Sequence, residues 1–214
     1  VYANTAVIDP ILARDLPEQD ILFTGLDAIN QAIESIWNIN ATPFSIDLAT
    51  RSLKLGFEAL PSLMSGSNSL IMKDSMSECS LLAGLAISQT RTALCHSISY
   101  PLTAHFNIPH GLACAFTMPV ILRLNLKVDD GRFENLAKKL IGENATLEEL
   151  ARLFEKLHTD NKICMKVKEK VKNVNNLLKL IPEMLTIGRA ENSILTADIE
   201  TVRCIINQSW YFKG

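Results

Sequence analysis

Residues 22–37 read LFTGLDAINQAIESIW. Leu22, Leu26, Ile29, Ile33, Ile36 and Trp37 recur at i, i+4, i+7, i+11 and onward, the spacing that puts apolar side chains on one face of an α-helix. Pro17 stands just ahead of the run, where a missing N–H costs least. Between the apolar positions lie Asp27, Gln31 and Glu34, also one and two turns apart, so these polar side chains share a second stripe. The stripe has two readings. It is the wet face of an amphipathic helix, or a carboxylate and a second donor one turn apart hold a metal ion from the same side.

Outward from this helix the same period recurs. It predicts helices over residues 44–60, 73–88, 111–125, 132–141, 163–185 and 196–210. Thr146 and Glu149 form a capping-box signature that opens another. Pro61 follows the second helix, and Pro182 bends or ends the one over 163–185. Small residues at Ala83, Gly84 and Ala86 permit close helix packing. The segment 90–110 is punctuated by Pro101 and Pro109, and 188–193 reads as a turn. One strand is expected, Ala6, Val7, Ile8 and Asp9, ended by Pro10. The expected fold class is all-α, a bundle of about eight helices with one short N-terminal strand. A strand with no partner in the chain implies a sheet upstream of these residues.

Composition narrows the function. Hydrophobic residues make up 48% of the 214, enough for a sizeable core. The formal net charge is -2, so the chain lacks the basic footprint of a nucleic-acid binder. The basic run at 166–172 contains Glu169 and reads as a solvated helix face. Cys79, Cys95, Cys114, Cys164 and Cys204 form no CxxC pair, which points to reduced thiols and a cytoplasmic setting. No apolar run has the length of a membrane span. There is no G-x-G-x-x-G or Walker loop to hold a nucleotide.

Histidine carries the remaining chemistry. His96, His105 and His110 fall close together in sequence, and imidazole is the commonest side-chain ligand for transition metals. His110, between Pro109 and Gly111, is expected at a helix start. His96 and His110 lie on different elements, so only tertiary folding brings them together, and each also reads as an ordinary hydrogen-bonded histidine. His158, at the end of a charged helix, is expected on the surface.

Three segments in order carry a resemblance: IDP, LP and TGLDAINQAIES near the start, then SLLAGLAIS, then HSISYPLTAHFNIPHGLACAFTMPVILRLN over residues 96–125. Together they resemble the C-terminal domain of iron-containing, metal-dependent alcohol dehydrogenases. The resemblance implies a two-domain oxidoreductase. Its N-terminal, Rossmann-like half binds NAD or NADP and lies outside these residues, and residues 1–214 form the metal-binding helical half. It implies a divalent metal, Fe2+ or Zn2+, held by Asp27, Gln31, His96 and His110, and a small aldehyde or alcohol as substrate. It also allows a homodimer. The metal polarises the aldehyde oxygen while hydride arrives from the nicotinamide.

The chain departs from that pattern at three positions. Gln31 stands where the family usually has His, leaving Asp27, His96 and His110 with an optional amide. Tyr100 stands where a further His is usual, either as a proton relay or as packing. Arg91 replaces a small residue, often Gly, and either binds an anionic substrate bidentately or points to solvent. These departures resemble the phosphonoacetaldehyde reductase branch. Two alternatives accompany this reading: a metal-free reductase like the maleylacetate reductases, and a truncated helical interaction module without activity. The 214 residues alone are expected not to catalyse nicotinamide-dependent reduction.

Overall fold

Helix α1 (Glu18–Ile36) forms where the apolar spacing predicts it and buries Leu22, Leu26, Ile29, Ile33 and Ile36. Full burial of such side chains contributes about 1.5–3 kcal/mol each, more than helix propensity supplies. The computed structural model describes residues 4–213. α2 (Pro43–Met64) opens with a reciprocal cap, in which Thr42 accepts from the Ser45 N–H and Ser45 accepts from the Thr42 N–H. It carries Pro61 inside its last turn rather than ending before it. α3 (Leu70–Thr90) lies against α1 and α2, and these three form one half of the bundle.

α4 (Leu94–Phe106) and α5 (His110–Leu126) form the other half with the C-terminal helices. α5 is buried on nearly all sides from Gly111 to Leu122, which fits its lack of an amphipathic pattern. It packs on α1 and α4, and on α7 (Leu147–Asp160), α8 (Ile163–Val171) and α11 (Ile199–Trp210). α6 (Arg132–Leu140), α9 (Val174–Leu178) and α10 (Ile181–Met184) complete the set. Short 3-10 turns cover Pro10–Ala13 and Ala190–Asn192. The all-α class holds, with eleven α-helices among the described residues where about eight were expected.

Several boundaries differ from expectation. Residues 6–9 form no ladder; Asp9 is extended and its carboxylate caps the 3-10 turn that follows. The sole β-type pairing among the described residues is a bridge between Asn38 and Ser193. α4 occupies the proline-punctuated segment, with Pro101 inside the helix and Pro109 after it. The single helix expected over 163–185 is three short ones, broken where Lys172 takes a positive φ of 65°. The turn at 188–193 holds a 3-10 helix. His158 is not on the surface: only 1% of it is exposed, and its ring meets Phe212 edge-on at 4.9 Å.

No helix among the described residues is long and apolar enough to cross a membrane. The five cysteines are free, and all but Cys204 are buried.

Candidate metal centre

α1, α4 and α5 converge on one point. α1 brings Asp27, the third position of α4 brings His96, and the first position of α5 brings His110. Asp27 Oδ1 lies 3.4 Å from His96 Nε2 and 3.6 Å from His110 Nε2. The residue after His110 makes this approach possible. A Cβ on Gly111 would stand 1.9 Å from the Phe23 carbonyl oxygen and 2.9 Å from the Asp27 nitrogen. Only glycine lets the start of α5 sit this close to the backbone of α1.

Each imidazole is oriented by its other nitrogen. His96 Nδ1 lies 2.6 Å from Glu34 Oε2. A carboxylate only accepts, so Nδ1–H donates to it and the Nε2 lone pair turns inward. The Ser99 hydroxyl donates to His96 O at 2.7 Å, which leaves its oxygen to accept a long bond (3.4 Å) from His110 Nδ1–H. His110 Nε2 therefore also faces inward.

Glu34 is fully buried and does more than hold one ring. Its oxygens accept the backbone N–H groups of Ala93 (2.8 Å), Cys95 (2.5 Å) and His96 (3.3 Å). These are donors at the start of α4 that have no partner within the helix. Of the polar stripe on α1, Asp27 and Gln31 are half-buried, and Glu34 is buried and fixes α4 on α1. Gln31 sits between the two carboxylates, and its amide nitrogen donates to Asp27 Oδ2 at 2.9 Å.

Two buried atoms here lack any hydrogen-bond partner: Asp27 Oδ1 and His96 Nε2. Unpaired buried polar atoms are costly. Two of them aimed at one point, beside a third donor, fit a cation. Cys114 joins this point, with Sγ 3.7 Å from His110 Nε2, and ligand atoms of Asp27, His96, His110 and Cys114 all lie within 4.8 Å of one another. Sequence reading missed Cys114, although its place one turn after His110 on α5 was available as a signal.

The charges of this cluster are coupled. Burial opposes a charged His96, yet the Cys114 sulfur, Glu34 and Asp27 hold its pKa well above the ordinary value. The contact with Cys114 raises that of His110, against the effect of burial. Burial pushes the Cys114 thiol up, but the two imidazoles outweigh it and bring it below its usual value.

Tyr100 lies one turn after His96, and its ring stacks on His110 at 5.8 Å and 16°. A second partner of Tyr100 is Arg189, whose guanidinium carbon lies 4.8 Å from the ring centroid. Arg189 was not among the expected residues, since its turn is distant in sequence. Arg91 is exposed and forms no ion pair among the described residues. It caps α3 at φ 67° and ψ 171°, a region that glycine occupies freely and other residues avoid. His105 lies away from the centre, 2.8 Å from Glu183.

A model of the Fe-containing alcohol dehydrogenase family, C-terminal, matches residues 21–197. The chain belongs to the iron-containing alcohol dehydrogenase family. Similar curated proteins include the probable alcohol dehydrogenase EutG of Escherichia coli, 33% identical over 137 residues. These residues are 64% of this chain and 35% of EutG. The 1-propanol dehydrogenase PduQ of Salmonella typhimurium is 34% identical over 140 residues, covering 64% of this chain and 38% of that protein. The matched segments thus amount to little more than a third of these iron-type relatives. The iron-containing alcohol dehydrogenase of Thermococcus thioreducens has the same fold, with a TM-score of 0.86 over 97% of this chain and 55% of that one, at 22% identity. The four residues Asp27, Glu34, His96 and His110, on three helices, lie inside the stretch matched to the iron-containing family.

Proposed function

We propose that this chain is the metal-binding part of an NAD(P)-linked oxidoreductase that interconverts an aldehyde and an alcohol. The observation that carries the reading is the convergence of Asp27 Oδ1 and His96 Nε2, both buried and unpartnered, beside His110 Nε2. This donor set speaks for a metal-dependent enzyme over a metal-free one, since packing alone gives no reason to aim these atoms at each other. The names of the relatives support the reaction class. Among them are an NADPH-dependent butanol dehydrogenase of Clostridium saccharobutylicum and an NAD-dependent methanol dehydrogenase of Bacillus methanolicus. The nicotinamide is assigned to a nucleotide-binding half outside these residues, because the sequence holds no glycine-rich phosphate loop.

Asp27, His96 and His110 would hold a divalent ion, which would supply Lewis acidity toward a substrate carbonyl. Glu34 and Ser99 keep both Nε2 lone pairs inward, and Gln31 orients Asp27 instead of ligating. Tyr100 is assigned to donate the proton from its hydroxyl, its ring in contact with His110 and with Arg189. An anionic aldehyde, phosphonoacetaldehyde in particular, is the finer substrate reading. It rests on the sequence departures and on Arg189, a planar cation against the Tyr100 ring that suits bidentate contact with an anionic group.

The test is a reductase assay on the full-length protein with NADH and NADPH, propanal and phosphonoacetaldehyde. Asp27→Ala and His110→Ala are expected to lower kcat/KM by at least about a hundredfold while the circular dichroism spectrum is kept. Undiminished turnover in either variant rejects the centre. Arg189→Ala is expected to lower kcat/KM for phosphonoacetaldehyde by at least about tenfold more than for propanal. Equal losses reject the anion reading and leave the reaction class standing.

A further inference from the structure

We propose that Cys114 is a fourth protein ligand, so that the centre is a thiolate-containing, zinc-type site made of Asp27, His96, His110 and Cys114. The inference rests on the metal reading above and specifies its chemistry. Zinc bound tetrahedrally, with nitrogen and oxygen at about 2.0–2.1 Å and sulfur at about 2.3 Å, requires donors separated by roughly 3.3–3.4 Å, or roughly 3.6 Å where one is sulfur. The donor separations here are 3.4 Å and 3.6 Å from Asp27 to the two imidazoles, and 3.7 Å from His110 to the sulfur. These three of the six edges match such a tetrahedron to within a few tenths of an ångström, and all four donors lie within 4.8 Å of one another.

Local structure explains the placement. His110 is the first residue of α5 and Cys114 follows one turn later on the same face, so one rigid element carries both donors. The sulfur has no rival assignment. Cys79 Sγ is engaged by Ser52 Oγ at 3.4 Å, and Cys164 Sγ donates to the carbonyls of Ser209 and Trp210. Cys114 instead meets an inward imidazole nitrogen, next to the unpartnered His96 Nε2 and Asp27 Oδ1. The side chain one turn after Asp27 supplies no imidazole: Gln31 spends its amide nitrogen on Asp27 Oδ2.

One sulfur, two imidazoles and one carboxylate select zinc or cobalt over hard, oxygen-seeking ions such as magnesium. Zinc tolerates a fifth neighbour, so four protein donors remain compatible with a Lewis-acid role.

The experiment is titration of the purified, metal-free protein with Co2+ under anaerobic conditions, read by absorption. The expected result is one equivalent bound, with the visible bands of a tetrahedral ion and a sulfur-to-cobalt charge-transfer band in the near ultraviolet. Cys114→Ser is expected to abolish the charge-transfer band and weaken zinc binding by at least the roughly tenfold to hundredfold that loss of an outer-sphere partner costs. Cys204→Ser, at the exposed cysteine, is expected to leave the band unchanged. Visible bands without a thiolate band in the wild-type protein, or a band that survives Cys114→Ser, overturn the Cys114 assignment and leave the metal reading intact. Failure of the wild-type protein to bind one equivalent overturns both.

Discussion

Glu34 Oε2 lies 2.6 Å from His96 Nδ1, and the same buried carboxylate caps the start of the helix on which His96 stands. One side chain thus fixes both the backbone and the ring that carry a donor. Glu34→Gln keeps the shape but replaces one accepting oxygen with an NH2 group that points donors at donors. Zinc affinity is expected to fall about tenfold to hundredfold. Each buried N–H left without an acceptor is expected to cost about 1–3 kcal/mol of stability. Isothermal titration with zinc and thermal melts read the two effects separately, and unchanged zinc affinity removes the orienting role.

Gly111 answers a steric need rather than a conformational one. The atom that a Cβ would strike, at 1.9 Å, is the backbone oxygen of Phe23, which cannot rotate away. Gly111→Ala is therefore expected to push α5 off α1, at a cost of about 3 kcal/mol or more, and to separate His110 from Asp27. Gly84 is the control: it is also helical, but open space surrounds the position. Gly84→Ala is expected to stabilise by about 0.4–1 kcal/mol. Urea melts of both variants check the contrast; similar behaviour in the two would mean the α1–α5 approach is not tight.

Much of this arrangement was legible in sequence. The α1 core face follows from spacing alone, because Leu22, Leu26, Ile29 and Ile33 must share one side of a helix. Period says which residues share a face and not what that face meets. Glu34 therefore looked like part of a wet stripe, when α4 covers it. His158 was misplaced for a different reason. It lies one turn after Phe154 and two after Ala151, both buried, so its own helix periodicity marked it as inward against the pull of its charged neighbours. α4 was hidden by Pro101, whose usual effect on a helix is overridden here by burial of the residues around it.

Burial of His158 has a consequence for acid stability. Desolvation pushes its pKa down to about 4, and a polar contact with the Phe116 backbone works weakly the other way. The folded-state pKa is depressed, so between about pH 6.5 and 4 the unfolded chain takes up a proton that the folded protein refuses. Stability is expected to fall as pH drops through that window, by up to about 3 kcal/mol from this group, with no further loss below it. His158→Leu removes the titration. The wild-type-minus-variant difference in unfolding free energy should slope only between those pH values in metal-free protein, and a flat difference would rule out a buried neutral imidazole.

Arg91 joins a strained backbone to an exposed cation. At φ 67° and ψ 171° a side chain costs on the order of 1–3 kcal/mol, and the geometry is held by Asn38 donating to the Arg91 carbonyl at 3.1 Å. Arg91→Gly is expected to raise stability by about 1 kcal/mol, after the extra chain entropy of glycine is subtracted. Enzyme assays divide the remaining possibilities. If Arg91 serves only as a cap residue, KM for phosphonoacetaldehyde stays constant, whereas a rise confined to that substrate gives Arg91 an anion-binding role beside Arg189.

Gln31 and Cys114 each contact a different donor of the proposed centre. Gln31 ends beside Asp27, and Cys114 beside His110. If sulfur supplies the fourth donor, an imidazole at position 31 is redundant in the wild-type protein and useful only when the sulfur is gone. Gln31→His alone is expected to change zinc affinity by less than about threefold, whereas in the Cys114→Ser background it should restore at least about tenfold. A tenfold rescue set against at most a threefold single effect corresponds to a coupling of about 0.7–1.4 kcal/mol, above the roughly 0.3–0.5 kcal/mol that independent sites show. Competitive zinc titration of the four proteins closes the cycle. Equal gains in both backgrounds mean that the two residues act independently, and the imidazole then adds a donor that Cys114 never provided.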